Sequence, residues 1–415
     1  MSGFPGGAAA KSADTIVINS SQLLTLENGN AGVGLLGSIS HGAVAIKDGL
    51  ILETGATSKI MQNYPDCSNL IDAENSLVMP GFVDCHTHLV FAGERSKEME
   101  QRLEGKSYLD ILADRGGIHS SVRATREATA EELFGLGMER LDRMAGNGTT
   151  TVEIKSGYGL NYETEMKMLQ VAAQLGREHP LDVVPTYLGA HTVPEGQNRE
   201  EYIKCLSGKS LIAFREVAEY FDIFCEEGAF SLEETKLLLE SAKRAGFKLK
   251  VHGGQFNDLG SPGVAARLGA VSVDHLENIS NEDLDLMAEA GTVAVLLPGV
   301  PFFLQSDKYP DAGRFLEKGI PVALATDFNP GSCPSYSMQM MITLGVFYCG
   351  MSVADAVAAA TMNSARALNR EDEIGSIKAG KKADLIILDI TSPEEIPYYF
   401  GTNLVKKTIK SGKVL

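Results

Sequence analysis

Residues 80–91 read PGFVDCHTHLVF, and this stretch decides the fold. Its apolar run over residues 82–88 is typical of a buried strand, and the run ends in two histidines, His86 and His88. Side chains two positions apart on a strand point to the same side, so the two imidazoles can bind one ion. The stretch therefore predicts a strand that carries metal ligands at its carboxyl end.

Seven further apolar segments alternate with segments whose apolar residues recur at helical spacing. Together with residues 82–88, the predicted strands are residues 149–154, 182–188, 221–225, 247–252, 271–275, 292–297 and 321–327. Residues 232–245 and 281–290 are predicted helices between them, and a later helix is predicted over residues 353–368. Eight alternating strands within about 250 residues predict an α/β fold, a (β/α)8 TIM-like barrel. The charged connection over residues 89–148 is expected to contain helices that partly cover the pocket.

The two ends of the chain have a different pattern, made of short strands. Predicted strands lie in residues 15–26, 43–54, 70–71, 382–390 and 405–415. Asp48-Gly49 predicts a hairpin turn, and the last segment alternates around Ser411-Gly412. We expect both ends to pair into one small β-sandwich. Residues 1–80 and 371–415 would then form the sandwich, and residues 81–370 the barrel.

Composition narrows the class of partner. The chain has 37 basic and 54 acidic residues, a formal net charge of −17, which disfavours nucleic-acid binding because phosphate contacts need basic residues. An apolar run of about 18 residues is absent, so no membrane partner is expected. The six cysteines are scattered without a CxxC pair, which indicates reduced, buried thiols in a cytoplasmic protein.

Residues that can bind a metal stand at the ends of four predicted barrel strands. His86 and His88 end the first strand, His252 the fifth, His275 the sixth and Asp327 the eighth. The carboxyl ends of barrel strands share one face of the barrel, where active sites form. Imidazoles combined with one carboxylate suit zinc or iron and leave a position open for water.

This arrangement resembles the amidohydrolase superfamily of metal-dependent hydrolases. The residues that carry the resemblance are 80–91, VHGG at 251–254, VDHLE at 273–277, ATDFNPG at 325–331 and GSIKAGKKADLIILD at 375–389. Binuclear members bridge two metals with a carboxylated lysine or a glutamate, usually at the end of the fourth strand. Here that position reads Cys225-Glu226-Glu227 and contains no lysine. Lys155, a lysine that could be considered for the bridging role, ends the second strand instead.

The resemblance therefore favours a single divalent ion, zinc or iron. Its expected ligands are His86, His88, His252 and Asp327. A second ion bridged by Glu226 or Glu227 stays open as an alternative. A single bound cation would acidify a water molecule to a pKa of about 7.

The expected catalytic residues are His275, Asp327 and Gln255. Asp327 can orient the attacking water and accept a proton, and His275 can act as general base or stabilise charge on the attacked carbonyl. Deaminase relatives place a glutamate three residues after the histidine of the fifth strand, where this chain has Gln255. An amide cannot exchange a proton at neutral pH, so Gln255 argues against nucleobase deamination and favours a hydrogen bond to the substrate ring.

Further motifs resemble those of the imidazolonepropionase family. They are FAGER at 91–95, VEIKSGYGL at 152–160, YLGAHTVP at 187–194 and TDFNPGS at 326–332. The resemblance implies ring opening of 4-imidazolone-5-propanoate to N-formimidoyl-L-glutamate in histidine degradation, by hydrolysis of a C–N bond in a cyclic amide. It also implies a homodimer. Arg95 is the expected partner of the propionate, because a guanidinium binds a carboxylate with two hydrogen bonds. The expected substrate-binding residues are Arg95, Tyr108, Tyr158, His191, Gln255, Asn329, Gly331 and Ser332.

Two other functions stay open at this point. One is a mononuclear amidohydrolase of another kind, such as a deaminase of a purine or pyrimidine ring, which would turn over such rings despite Gln255. The other is a binding or scaffold protein that kept the barrel and lost catalysis. Metal analysis separates the second from an enzyme, because a scaffold need not hold a tightly bound ion.

Overall fold

A computed structural model describes residues 12–27, 36–105 and 116–415 of the chain. Its strands are Thr15–Ile18, Gln22–Leu24, Ser38–Ser40, Gly42–Lys47, Leu50–Ala56, Leu70–Asp72, Leu77–Pro80, Phe82–Asp84, Thr149–Lys155, Asp182–Ala190, Tyr220–Cys225, Lys248–Gly253, Ser272–His275, Val293–Leu296, Val322–Leu324, Leu385–Leu388, Val405–Lys410 and Lys413–Val414. Its helices are Thr57–Asn63, Ser96–Leu103, Ile118–Glu127, Ala130–Gly146, Tyr162–Glu178, Arg199–Leu206, Ser210–Arg215, Leu232–Arg244, Ser261–Leu268, Asn281–Ala290, Gly299–Phe303, Ala312–Glu317, Met338–Tyr348, Val353–Ala359, Met362–Arg366 and Glu395–Tyr398. Among these described helices, none is long and apolar enough to cross a membrane.

The eight strands from Phe82–Asp84 to Val322–Leu324 form one parallel sheet in chain order. The sheet closes just beyond its first and last strands. The His88 N–H donates to the Phe328 carbonyl at 2.9 Å, and the Asp327 N–H donates to the His86 carbonyl at 3.0 Å. The predicted (β/α)8 barrel is therefore confirmed. We refer below to its strands by their order around the barrel.

The first and eighth barrel strands are shorter than predicted, because side chains replace ladder bonds near their ends. The Asp84 carboxylate accepts hydrogen bonds from the Thr326 N–H at 3.0 Å and from the Thr326 hydroxyl at 2.6 Å. Asp327 then leaves the extended conformation, with φ 49°. The ligand-bearing segments after both strands are thus irregular backbone, held by side chains and by the closure bonds.

The helix predicted over residues 353–368 is interrupted. Two helices occupy the region, Val353–Ala359 and Met362–Arg366, and Thr361 between them has φ −131° and ψ −89°. The Ala360 carbonyl accepts the Val83 N–H of the first barrel strand at 3.0 Å. A tertiary hydrogen bond thus replaces the bond that would have continued the helix.

The two ends of the chain form two further sheets. One sheet contains only N-terminal strands, and the other pairs Leu385–Leu388 from the C-terminal end with Leu77–Pro80 from the N-terminal end. Apolar side chains of both sheets, including Val44 and Leu385, share one buried cluster. This is the predicted sandwich built from both termini. The exact domain bounds 1–80, 81–370 and 371–415 stay a prediction.

Both turn dipeptides adopt the backbone that a tight hairpin requires. Asp48 and Gly49 have φ of 51° and 77°, and Ser411 and Gly412 have φ of 46° and 78°. Positive φ at both central residues defines the turn whose twist matches paired strands. The strands that flank each turn pair antiparallel, as predicted.

All six cysteines are free thiols. The predicted burial holds for Cys85, Cys225, Cys333 and Cys349. It is wrong for Cys205, which is exposed, and for Cys67, which is half-buried. Cys205 lies at the end of the amphipathic helix Arg199–Leu206, whose buried face is formed by other residues.

Candidate active site

The predicted metal ligands meet at the carboxyl ends of the barrel strands. Asp327 Oδ1 lies 3.4 Å from Nε2 of His86 and 3.4 Å from Nε2 of His88. The ring centroids of His86 and His252 are 4.4 Å apart, and those of His252 and His275 are 5.3 Å apart. Donor atoms of His86, His88 and Asp327 lie within 4.8 Å of one another, and so do those of His86, His252 and His275. Strands far apart in sequence therefore present one compact set of nitrogen and oxygen donors.

The unpaired atoms of this set fit a divalent metal ion. Nε2 of His86, Nε2 of His252 and Oδ1 of Asp327 are buried and have no hydrogen-bond partner within the described part of the chain. Buried polar atoms are normally paired, because an unpaired one costs about 1–3 kcal/mol. Imidazole nitrogens with one carboxylate form the donor set that zinc and iron accept. A cation at this position would satisfy all three atoms.

Two carboxylates orient the histidines from the opposite side. Nδ1 of His86 lies 2.6 Å from Oδ2 of Asp274, and Nδ1 of His252 lies 3.0 Å from Oδ2 of Asp222. A carboxylate beside Nδ1 favours the tautomer with its proton there, which leaves the Nε2 lone pair for a metal. Sequence reasoning did not identify either aspartate.

Burial keeps three imidazoles of the site, those of His88, His252 and His275, neutral. It lowers the pKa of His88, lowers that of His252 well below the usual range, and lowers that of His275 to about 4. Neutral imidazole is the form that ligates a metal or accepts a proton. The site therefore needs no deprotonation of these groups at neutral pH.

A buried ionic cluster lies beneath the histidines. We call Glu153, Lys155, Asp222, Lys250 and Asp274 the barrel-floor cluster; each side chain is fully buried. The Lys155 ammonium lies 2.6 Å from Asp222, 3.0 Å from Glu153 and 3.5 Å from Asp274. Lys250 donates to Glu153 at 2.8 Å and to the Cys85 carbonyl at 3.0 Å.

The electrostatics of the barrel-floor cluster favour a cation above it. Burial alone would lower the pKa of Lys155, but the charges of Asp222, Glu153 and Asp274 outweigh it and raise the pKa above its usual value. Three carboxylates and two ammonium groups leave one formal negative charge. The signal in the sequence was a charged residue at an inward position of an apolar strand, repeated on four strands.

Glu226, the alternative ligand of a second metal ion, binds a loop of the chain instead. Its carboxylate accepts hydrogen bonds from the Phe256 N–H at 2.8 Å, from the Asn257 N–H at 3.2 Å and from the Asn257 side chain at 2.8 Å. It therefore holds the loop after the fifth strand. Within the described residues, neither Glu226 nor Glu227 belongs to a group of potential metal ligands.

A cavity of about 200 Å³ opens above the metal ligands. Most of the predicted site residues line it: His88, Arg95, Tyr158, His191, His252, Gln255, His275, Asp327, Asn329, Gly331 and Ser332. His86 is buried beneath the cavity, and Tyr108 lies outside the described residues. Sequence reasoning missed five lining residues: Glu98, Ile118, Phe224, Phe256 and Leu304. The four apolar ones have no local signal that separates them from core residues.

Arg95 is held in the cavity wall by Glu98. Its Nε lies 2.7 Å from one Glu98 carboxylate oxygen, and the other oxygen accepts the Gly117 N–H at 2.9 Å. The guanidinium packs on Gly331, where a Cβ would lie only 2.1 Å from Nη1. Gly331 therefore provides the space for Arg95. The i, i+3 spacing of Glu98 from Arg95 was a signal for this pair.

Tyr158 and His191 form another wall of the cavity. The His191 ring stacks on His88 with centroids 5.1 Å apart, and the Tyr158 ring lies 5.6 Å from His191. Nδ1 of His191 lies 3.1 Å from the Gly157 carbonyl. Burial lowers the pKa of His191 to about 3, so its imidazole is neutral.

Asn329 organises the loop after the eighth strand. Its amide nitrogen donates to the Asp327 carbonyl at 2.7 Å and to the Ser332 hydroxyl at 2.8 Å, and its oxygen accepts the Gly331 and Ser332 N–H groups, both at 2.8 Å. The residue lines the cavity, but these polar atoms bind the loop itself, and its predicted contact with the substrate stays a prediction.

Comparison with known proteins agrees with this geometry. The model of the Amidohydrolase family matches residues 77–415. An imidazolonepropionase of Symbiobacterium thermophilum is 44% identical over 413 residues, covering 97% of each chain. One of Clostridium tetani is 43% identical over 415 residues, covering 98% of this chain and 99% of the relative. The chain belongs to the imidazolonepropionase family of amidohydrolases. The predicted family and its hydrolase class are confirmed.

Solved structures share the fold at much lower identity. An adenosine deaminase of Xanthomonas campestris with bound zinc has a TM-score of 0.75 at 17% identity, covering 97% of this chain and 93% of that one. A 5-methylcytosine deaminase of Klebsiella pneumoniae has a TM-score of 0.72 at 17% identity, covering 96% and 97%. These likenesses support the barrel and its terminal sandwich and say nothing about the substrate.

Proposed function

We propose that this chain hydrolyses the ring of 4-imidazolone-5-propanoate and yields N-formimidoyl-L-glutamate. This is the reaction that the name of its imidazolonepropionase relatives indicates. The observation that carries the proposal is that Arg95 lines the same cavity as three of the predicted metal ligands, His88, His252 and Asp327. A guanidinium suits the propionate of the substrate, and the ligand set suits hydrolysis of its ring amide. The two ends of the substrate thus meet complementary groups.

The metal ligands proposed for this chain are His86, His88, His252 and Asp327. When a divalent cation is bound there, it lowers the pKa of water and polarises the carbonyl that is attacked. Asp274 orients His86 from the far side at 2.6 Å, so the imidazole keeps its lone pair toward the cation.

The proton transfers are assigned to residues of the chain. Asp327 orients the attacking water and accepts one of its protons through a carboxylate oxygen. His275, neutral because its pKa is about 4, accepts a proton or donates a hydrogen bond to the attacked carbonyl. Gln255 hydrogen-bonds to the ring. A C–O bond forms, the ring C–N bond breaks, and the proton taken from water goes to the departing nitrogen.

The remaining substrate contacts are proposed for the cavity walls. Tyr158 and His191 contribute their aromatic wall, and Gly331 and Ser332 contribute the loop beside Arg95. Because Asn329 already binds this loop, we assign it chiefly to shaping the cavity.

We further infer one zinc or iron ion per chain, a homodimer and a cytoplasmic location. The donor set suits either metal, and the engagement of Glu226 with backbone amides supports a single ion. The six free thiols support a reducing compartment. The homodimer rests on the family resemblance.

The test is an absorbance assay on freshly generated 4-imidazolone-5-propanoate, with and without prior chelation. We expect rapid loss of the ring absorbance, appearance of formimidoylglutamate, and loss of both after chelation. Metal content per chain is measured on the same sample. If the substrate decays no faster than in buffer while metal is bound, the substrate assignment is wrong. Deamination of purine or pyrimidine rings would then favour the deaminase alternative.

A further inference from the structure

A buried carboxylate outside the substrate cavity holds the loop that carries Tyr158. Glu165 lies in the helix Tyr162–Glu178 and is only 1% exposed. One of its oxygens accepts the Gly159 N–H at 2.7 Å and the Leu160 N–H at 2.8 Å, and the other accepts the Gly157 N–H at 3.0 Å. We call residues 157–160 the Tyr158 loop. Three of its four backbone amides bind this one side chain.

The helix itself does not need these bonds. Asn161 precedes the helix, and its side chain accepts the Thr164 N–H at 2.8 Å, so the helix N-terminus is already capped. The Glu165 carboxylate is therefore directed to the loop and not to its own helix. This separates Glu165 from an ordinary capping residue.

The backbone of the Tyr158 loop packs closely against Glu165 and His191. A Cβ on Gly159 would lie 2.5 Å from the Glu165 backbone nitrogen, and one on Gly157, which has φ +109°, would lie 2.9 Å from Nδ1 of His191. The Gly157 carbonyl also lies 3.1 Å from that same Nδ1. The loop backbone thus sets the position of both aromatic rings in the cavity wall.

We propose that Glu165 is a positioning residue for substrate binding, acting through Tyr158 and His191. The inference rests on the proposed function of the cavity that these two residues line. Glu165 is not among the described residues that line this cavity, so it acts on the substrate only through the loop. It is hydrogen-bonded to the loop amides and not to the predicted metal ligands, so its loss should leave metal content unchanged.

The first test is Glu165→Gln, which keeps the size of the side chain but replaces one accepting oxygen with a donor. We expect KM to rise about 3- to 10-fold, the effect of one or two lost hydrogen bonds, with kcat within about twofold of the unmodified enzyme. The matched control is Glu163→Gln, an exposed residue in the first turn of the same helix. It should leave KM unchanged. A fall in kcat at constant KM, or loss of metal, would overturn the proposal.

A double-mutant cycle with Tyr158→Phe tests whether Glu165 acts through the tyrosine. If it does, the KM of the double variant lies close to that of the weaker-binding single variant, because both changes remove the same contact. Simple multiplication of the two effects would contradict the proposed route. Should Glu165→Gln fail to fold, Glu165→Asp retains the charge and withdraws the oxygens, and the same cycle applies.

Hydrogen–deuterium exchange keeps this test separate from the identity of the substrate. Amides of residues 157–160 should exchange faster in Glu165→Gln than in the unmodified enzyme, and those of the sandwich should not change. If the unmodified enzyme does not turn over the imidazolone, the proposed function fails, while the exchange result still decides whether Glu165 holds the loop. Unchanged exchange in the loop would overturn the positioning role.

Discussion

Lys155→Met tests whether the barrel-floor cluster supports both the barrel and the metal site. Methionine retains the length and apolar stem of lysine and removes the charge. The Lys155 ammonium lies within 2.6–3.5 Å of Asp222, Glu153 and Asp274, and all four side chains are fully buried. Removal of the ammonium leaves Lys250 as the one cationic member of the barrel-floor cluster, against three formal carboxylates.

The expected cost is about 3–5 kcal/mol of unfolding free energy, the usual effect of removing one partner from a buried ion pair. Asp222 and Asp274 also face the Nδ1 atoms of His252 and His86. Their repulsion or protonation disturbs the orientation of both imidazoles. Metal affinity should therefore fall about 10- to 100-fold, as when an outer partner of a ligand is lost.

Denaturant unfolding followed by circular dichroism measures the first effect, since the chain has no tryptophan. Metal titration measures the second. The control is Lys248→Met on the fifth barrel strand, which also carries Lys250. There the ammonium is 3.8 Å from Glu219 and the side chain is 40% exposed. An exposed pair of this kind contributes about 0–1 kcal/mol.

A Lys155→Met protein that is no less stable than Lys248→Met and binds metal like the unmodified enzyme would show that the barrel-floor cluster supports neither the barrel nor the metal site. A second change sharpens the result. In a Lys155→Met background, Asp222→Asn removes one of the unpaired buried charges and should recover part of the lost stability.

Three further variants test single roles in the cavity. Asp327→Asn should lower turnover at least about 1000-fold with an unchanged circular dichroism spectrum, because it removes a proton acceptor and a metal ligand; substantial activity would remove Asp327 from both roles. Arg95→Ala should raise KM about 10- to 100-fold with little change in kcat, since a charge-assisted contact is lost; steady-state kinetics that match the unmodified enzyme would show that the propionate is held elsewhere. Asp274→Asn should weaken metal binding about 10- to 100-fold in titrations, because the carboxylate at 2.6 Å no longer orients His86; unchanged affinity would contradict that role.

Local patterns in the sequence determined the barrel and the ligand positions. The barrel strands are short segments rich in apolar and β-branched residues, and His86, His252 and His275 stand at or just after their carboxyl ends. Because the carboxyl ends of parallel strands meet on one face, position along the chain was enough to predict that these side chains converge. The same holds for Asp48-Gly49, whose positive φ follows from the residue types themselves.

Tertiary structure alone decided which partner each buried polar group has. Lys155 pairs with Asp222, 67 positions away, and Lys250 pairs with Glu153, 97 positions away. The two members of each pair lie on non-adjacent strands, and closure of the barrel brings their inward side chains together. A helical pattern likewise continues through Ala360, and only the approach of Val83 interrupts it. Hydrophobic periodicity reports which face of a segment is buried. It does not report which side chain lies opposite across the barrel. The contacts between such side chains determine the charge balance of the site and the orientation of its histidines.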